Sequence, residues 1–253
     1  WQIPLEMCYT DLENTIAKYC LKTGTNIGDL TSTEYMDGIV LPKLSEAMMK
    51  MMWRFTWFGD KSAASVTGGG QITDGVNIEL FKTCDGFFKR LFAICTNNAE
   101  QHTEIAANAE ESYALQKSKM KETGIATSIF DAMLQDADSR IFQKDGCAIF
   151  ATKSMCDALT HDMKEKYKVI MPWEVVFDGV EVSKYDGTTI VKCSIWDRFI
   201  QAYQNNKTKL NLPHRAVLCS PENWMYGCEG TEPMSDWDIW FDKKARKNYI
   251  YST

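Results

Sequence analysis

The chain has 253 residues, 45% of them hydrophobic and 25% charged, with a net charge of −6 and a sequence pI near 5.2. That is ordinary globular composition, enough to bury a core in one large domain or two intertwined ones. It lacks the basic excess of a protein that grips nucleic acid by its phosphates, and no apolar run approaches the ~20 residues that cross a bilayer.

In chain order, Trp1–Met7 reads as an extended segment, because Pro4 disfavours helix just before it. The start at Trp1 rather than methionine points to a processed or trimmed product. Thr10 and Glu13 form a capping box that opens a short helix with Leu12, Ile16 and Tyr19 on one side. A second capping box, Thr31 with Glu34, opens the stretch around which the chain is organised, a spine helix over about 32–55. Met36, Val40, Leu44, Met48, Met51 and Phe55 recur every three or four residues and fall on one side; Lys43, Glu46, Lys50 and Arg54 fall on the other. Pro42 inside this pattern predicts a kink. The spine stops in an aromatic cluster, Trp53, Phe55, Trp57 and Phe58, followed by a Gly59-Asp60 turn.

Beyond the turn, the glycine run Gly68–Gly70 lacks the Gly-Lys-Ser/Thr ending of a phosphate loop and reads as a flexible surface loop. Asn77–Phe81 is apolar in alternation, and Phe87, Leu91 and Ile94 line one face of a short helix. The polar stretch 97–123 cannot bury much; it predicts a surface helix or an excursion, and the most mobile part of the chain. Thr127 or Ser128 then caps a helix with Ile129, Met133 and Ala137 on one face. Cys147–Ala151, a cap at Thr152-Lys153-Ser154 and a helix burying Met155, Leu159 and Met163 make half of a βαβ unit. Strands follow at 169–171, 173–177, 179–182 and 188–193, the last two flanking a turn at Asp186-Gly187. Ile195–Tyr203 reads as helix, His214–Cys219 as strand, Ser220–Asn223 as turn, and 236–241 with 248–252 as a closing antiparallel hairpin.

Candidates for chemistry are few. The nine cysteines show no metal-knuckle spacing and no disulfide framework, which points to free buried thiols in a reducing cytoplasm. Cys156 or Cys147 with His161 permits a sketch of a cysteine hydrolase, but five residues on a helix separate Cys156 and His161 onto different faces. His102 with Glu100 and Glu104 reads as a solvated face rather than a metal site, and His214 as a structural histidine at the start of a strand. Asp131, Asp136 and Asp138 do not fit a calcium loop. No catalytic, cofactor-binding or metal-binding residue is assigned.

The order of pieces resembles a tailed-phage major capsid protein of the Hong Kong 97-like fold, in the branch found in Bacteroides phages and the crAss-like group. The stretches that carry the resemblance are MMWRFTWFGD, NIELFKTCDGFFKRLF, CAIFATKSMCDALTHDM, NLPHRAVLCSPENWMYGCEG and the closing hairpin, and it covers nearly all 253 positions. It implies an α+β fold with the spine in a peripheral domain (1–125 plus 232–253) and an α/β axial domain (126–231). It also implies a structural shell subunit, not an enzyme and without cofactors, located in the virion and assembled in the cytoplasm of a bacterial host. Its partners would be copies of itself in hexamers and pentamers and virion proteins such as portal or scaffold, with no sequence-specific nucleic acid and no membrane. The family's N-terminal arm and extended loop would lie upstream of Trp1, so this piece alone is expected to be monomeric. A nanocompartment shell of the same fold, another phage structural or adaptor component, and an intracellular α+β enzyme are the alternatives.

Overall fold

Among the described residues, the spine is one long helix. In the structure, a computed structural model that describes residues 5–7, 16, 18–24, 38–39, 41–177, 180–225, 227, 237–242 and 247–252, helix α1 runs Leu41–Phe58. Pro42 therefore occupies the first turn, where its missing N–H has no intrahelical partner to lose and its fixed φ suits the helix. Gly38 and Ile39 lie in a wider helical turn, and the rest of the stretch from Thr31 to Val40, including the Thr31–Glu34 box and the expected start of the spine, lies outside the described residues. The stripe is as spaced: Leu44 and Phe55 are buried, and Met48 and Met51 half-buried. Arg54, expected in solvent, instead donates from Nε to the Leu80 carbonyl at 3.3 Å and lies over the Phe81 ring.

The chain forms two compact units, Trp1–Met51 with Tyr226–Thr253, and Met52–Met225. In the first, β1 (Leu5–Met7) pairs antiparallel with β8 (Lys247–Ser252), and β8 pairs antiparallel with β7 (Trp237–Asp242). The closing hairpin and the extended start of the chain are thus one three-stranded sheet. Beside it in sequence, a short helix (18–23) contributes Cys20 to a small cluster with Ile16 and Ile39, and Tyr19 packs against it. The Thr10–Glu13 box lies outside the described residues.

The second unit is a mixed five-stranded sheet with helices on both faces. Its strands are β2 (Ala148–Ala151), β3 (Glu174–Phe177), β4 (Val180–Tyr185), β5 (Thr188–Lys192) and β6 (Ala216–Cys219), in the order β3-β4-β5-β2-β6. Only β2 and β5 run parallel. Residues 169–171, expected as strand, are not in one. The helices are α2 (Phe87–Asn97), α3 (Tyr113–Met120), α4 (Ile125–Gln135), α5 (Lys153–Lys166) and α6 (Ser194–Tyr203). Alternation along the strands builds two cores. Ile149, Ile190 and Leu218 share one face and pack with Phe130, Met155 and Leu159 from α4 and α5. Phe150, Val191 and Val217 share the other and pack with Phe58, Phe88 and Trp196 from α1, α2 and α6. The aromatic tip of the spine is therefore core: the Trp57 ring lies 4.5 Å from Trp196 and 5.3 Å from Phe88, centroid to centroid.

The two motifs WFGD and DGFFK are one junction in space. Gly86 N donates to the Gly59 carbonyl at 2.9 Å, Lys61 N donates to the Asp85 carboxylate, and Lys89 pairs with Asp60. Between them Ile78–Leu80 is a 3₁₀ turn capped by the Asn77 side chain, so the alternation read at 77–81 is not a strand. The glycine loop lies at the surface and is tied back on itself by hydrogen bonds. Gln71 N and Ile72 N both donate to the Ala64 carbonyl, Thr67 is held by the Asp74 carboxylate, and Ile72 is buried.

Candidate functional site

Titratable groups converge at one cleft of about 340 Å³ in the second unit, lined by Lys117, Lys121, Lys153, Ser154, Asp197 and His214 among others. The lysines are exposed, and His214 is buried. Two helices in this unit are capped by carboxylates from neighbouring helices. Thr152 precedes α5 but makes no side-chain cap bond; the Asp197 carboxylate on α6 accepts from Lys153 N at 2.7 Å and Ser154 N at 3.2 Å instead. In the same way Asp162 on α5 accepts from Thr127 N at 3.0 Å in the first turn of α4, whose preceding residue is the left-handed Gly124. A carboxylate at a helix N-terminus satisfies orphan amides and complements the dipole whichever element supplies it. The expected caps at Thr127, Ser128 and 152–154 are corrected accordingly: Thr127 and Ser128 lie inside α4, and the oxygens on the helix amides come from Asp162 and Asp197. Burial raises the Asp197 pKa, and the bonds from the Lys153 and Ser154 amides work against that rise.

His214 sits where β6, α5 and the polar stretch meet. Its Nε2 faces the Gln116 carbonyl oxygen at 3.2 Å; that oxygen only accepts, so Nε2 carries the proton. Nδ1 is then bare and accepts from Ser154 Oγ at 2.9 Å. Burial pushes the His214 pKa down to about 4, so the ring is neutral at pH 7. A serine donating to a bare imidazole nitrogen is the first element of a nucleophile–base pair. Here, though, the α5 amides that could stabilise an oxyanion already donate to Asp197, and Ser154 Oγ also lies near Pro213 O and Thr152 Oγ1. The arrangement is a saturated junction that locks three segments together.

That junction also corrects the reading that 97–123 cannot bury much. Gln116 is fully buried, donating to Asn108 O (3.1 Å) and Leu210 O (3.0 Å) and accepting from Leu210 N (3.2 Å). Asn108 exchanges two bonds with the His214 backbone, and Ala107 and Met120 are in the core. Nothing in the polar pattern around Gln116 signals its burial. Arg215 gave a clearer sign, a charge at the head of an apolar strand run, and it too is buried.

The other candidates stand apart. Cys156 is fully buried, and burial raises its thiol well above the usual range; His161 is exposed on the same helix. Cys147 is half-buried with its pKa likewise raised by burial, and burial pushes Cys193 and Cys219 up to about 12. None of these thiols is in a setting that favours thiolate. His102, Glu100 and Glu104 are all exposed. Asp131 accepts from the Tyr185 hydroxyl at 2.6 Å, Asp138 pairs with Arg140, and Asp136 ends α4. Among the described residues, no group of three or more His, Cys, Asp or Glu is placed to hold a metal ion, and no helix is long and apolar enough to cross a membrane. No protein family, curated protein or solved structure matches the chain.

Proposed function

We propose that the chain is a structural subunit of an icosahedral phage or prophage capsid, self-assembling into hexamers and pentamers around packaged DNA, with the Hong Kong 97-like fold. The motifs that carry the resemblance support this as a set, since WFGD and DGFFK meet at a single backbone junction. The observation that carries the function is a run of exposed apolar side chains between residues 167 and 176, leading into and along the edge strand β3 of the larger sheet. Ile170 is 84% exposed, Val175 68% and Val176 60%, with Tyr167 and Val169 also exposed. Large apolar side chains gathered in one run at a sheet edge are what a surface that meets other subunits presents. In this reading DNA is contained by an acidic wall that does not adhere to it strongly.

The test is the double substitution Ile170→Lys with Val175→Lys in the full-length protein. It is expected to abolish particle formation, measured by sedimentation velocity, while circular dichroism stays unchanged. Particles of normal size and yield would remove this run from the assembly surface.

A further inference from the structure

We propose that His214 is a proton-operated clasp: neutral, it holds residues 105–121 on the sheet unit, and on taking up a proton it lets them go. The geometry points to it because so little else binds that segment. Its apolar anchors are Ala107 and Met120, with Ile105 partly buried against the same core. Its polar anchors are Asn108 on the His214 backbone, Gln116 on Leu210, the His214 ring on the Gln116 carbonyl, and, away from the histidine, Tyr113 N donating to Thr208 O at 3.1 Å.

A second proton on the ring has no good place. Nε2 already carries one, so it must sit on Nδ1, where Ser154 Oγ now donates; Ser154 would have to turn its hydrogen toward Pro213 O at 3.3 Å. Burial sets the cost of the new charge, and the charged groups around the cleft do not offset it. Lys117 and Lys121 come from the polar segment itself, Lys153 and Asp157 from α5, Asp197 from α6, and Arg215 is next in the chain. Lys153 is paired with Asp157, and the Asp197 carboxylate is engaged by α5 amides, so neither carboxylate lining the cleft is free to offset a cation. Burial draws the folded-state pKa down to about 4, below the ordinary 6.5, and the bond to the Gln116 carbonyl only partly opposes it. A lowered histidine pKa means stabilisation that is complete above 6.5 and is lost as pH falls through that range toward 4. Asp197, whose pKa burial raises, works in the opposite sense, so the experiment must isolate the histidine.

Hydrogen exchange read by mass spectrometry on the whole chain does so, at pH 7.0 and pH 4.5 and corrected for intrinsic rates. Peptides within 105–121 are expected to lose protection on the order of 50-fold at pH 4.5, while those covering 148–163 keep theirs. In His214→Gln the protection of 105–121 is expected to be the same at both pH values. Acid loss that persists in His214→Gln, loss shared equally by 148–163, or no loss at all would each overturn the clasp. Should His214→Gln fail to fold, the His214 ring proton titrated by NMR in the unaltered chain serves instead. Its midpoint must coincide with the opening of 105–121, and separated midpoints would refute the proposal.

Discussion

Arg215→Ala is expected to destabilise the second unit by about 4 kcal/mol, the largest effect of any single substitution considered. The guanidinium is buried, and its centre lies 4.5 Å from the Phe88 ring centroid, 5.4 Å from Phe92 and 5.5 Å from Phe58. Nε donates to Leu212 O at 2.8 Å, and Nη2 donates to Gln204 Oε1 at 2.6 Å and Asn211 O at 2.9 Å. Alanine leaves those oxygens without donors and opens a cavity between aromatic rings. Two features oppose the loss. Nη1 has no partner, and burial pushes the guanidinium pKa down to about 9, so the charge itself is held at a cost. Arg215→Met, which fills the space and removes the charge, is therefore expected to lose only ~2 kcal/mol. Urea denaturation followed by near-UV circular dichroism separates the two; equal losses would mean that the hydrogen bonds, not the packing, set the energy.

Gly59→Ala is expected to cost about 3 kcal/mol and lower the melting temperature by roughly 6–10 °C. A Cβ built at Gly59 falls 2.5 Å from the Cys84 carbonyl oxygen and 2.5 Å from that of Phe55. Both obstacles are backbone, so no side chain can move aside. Gly86 faces the same junction, where its Cβ would lie 2.8 Å from Gly59 N. Because one strained contact is shared, the double variant Gly59→Ala with Gly86→Ala should cost less than the sum of the singles. A Gly59→Ala protein melting within 2 °C of the unaltered one, by differential scanning calorimetry, would show that this junction yields easily.

Much of the larger unit was legible because its sheet is built on local rules. Ile149 and Phe150 alternate toward two cores, Asp186 and Gly187 take the positive φ of a tight hairpin, and Met155 and Leu159 repeat at helical spacing. The largest misses involve partners distant in sequence. Asp197 caps a helix that begins 44 residues before it, and Asp162 caps one 35 residues away; neither lies beside an amide run that would announce it. Gln116 reads as one more polar residue in a polar stretch, yet it binds Leu210 across 94 positions. His214 was read as structural from its place at the start of a strand; the tautomer and its bond to Ser154 depend on the fold.

We propose that this chain is a shell tile, and electron microscopy of the full-length protein after expression in a bacterial host tests this most directly. Closed icosahedral particles built of hexamers and pentamers are expected; small soluble species under every assembly condition would contradict the proposal.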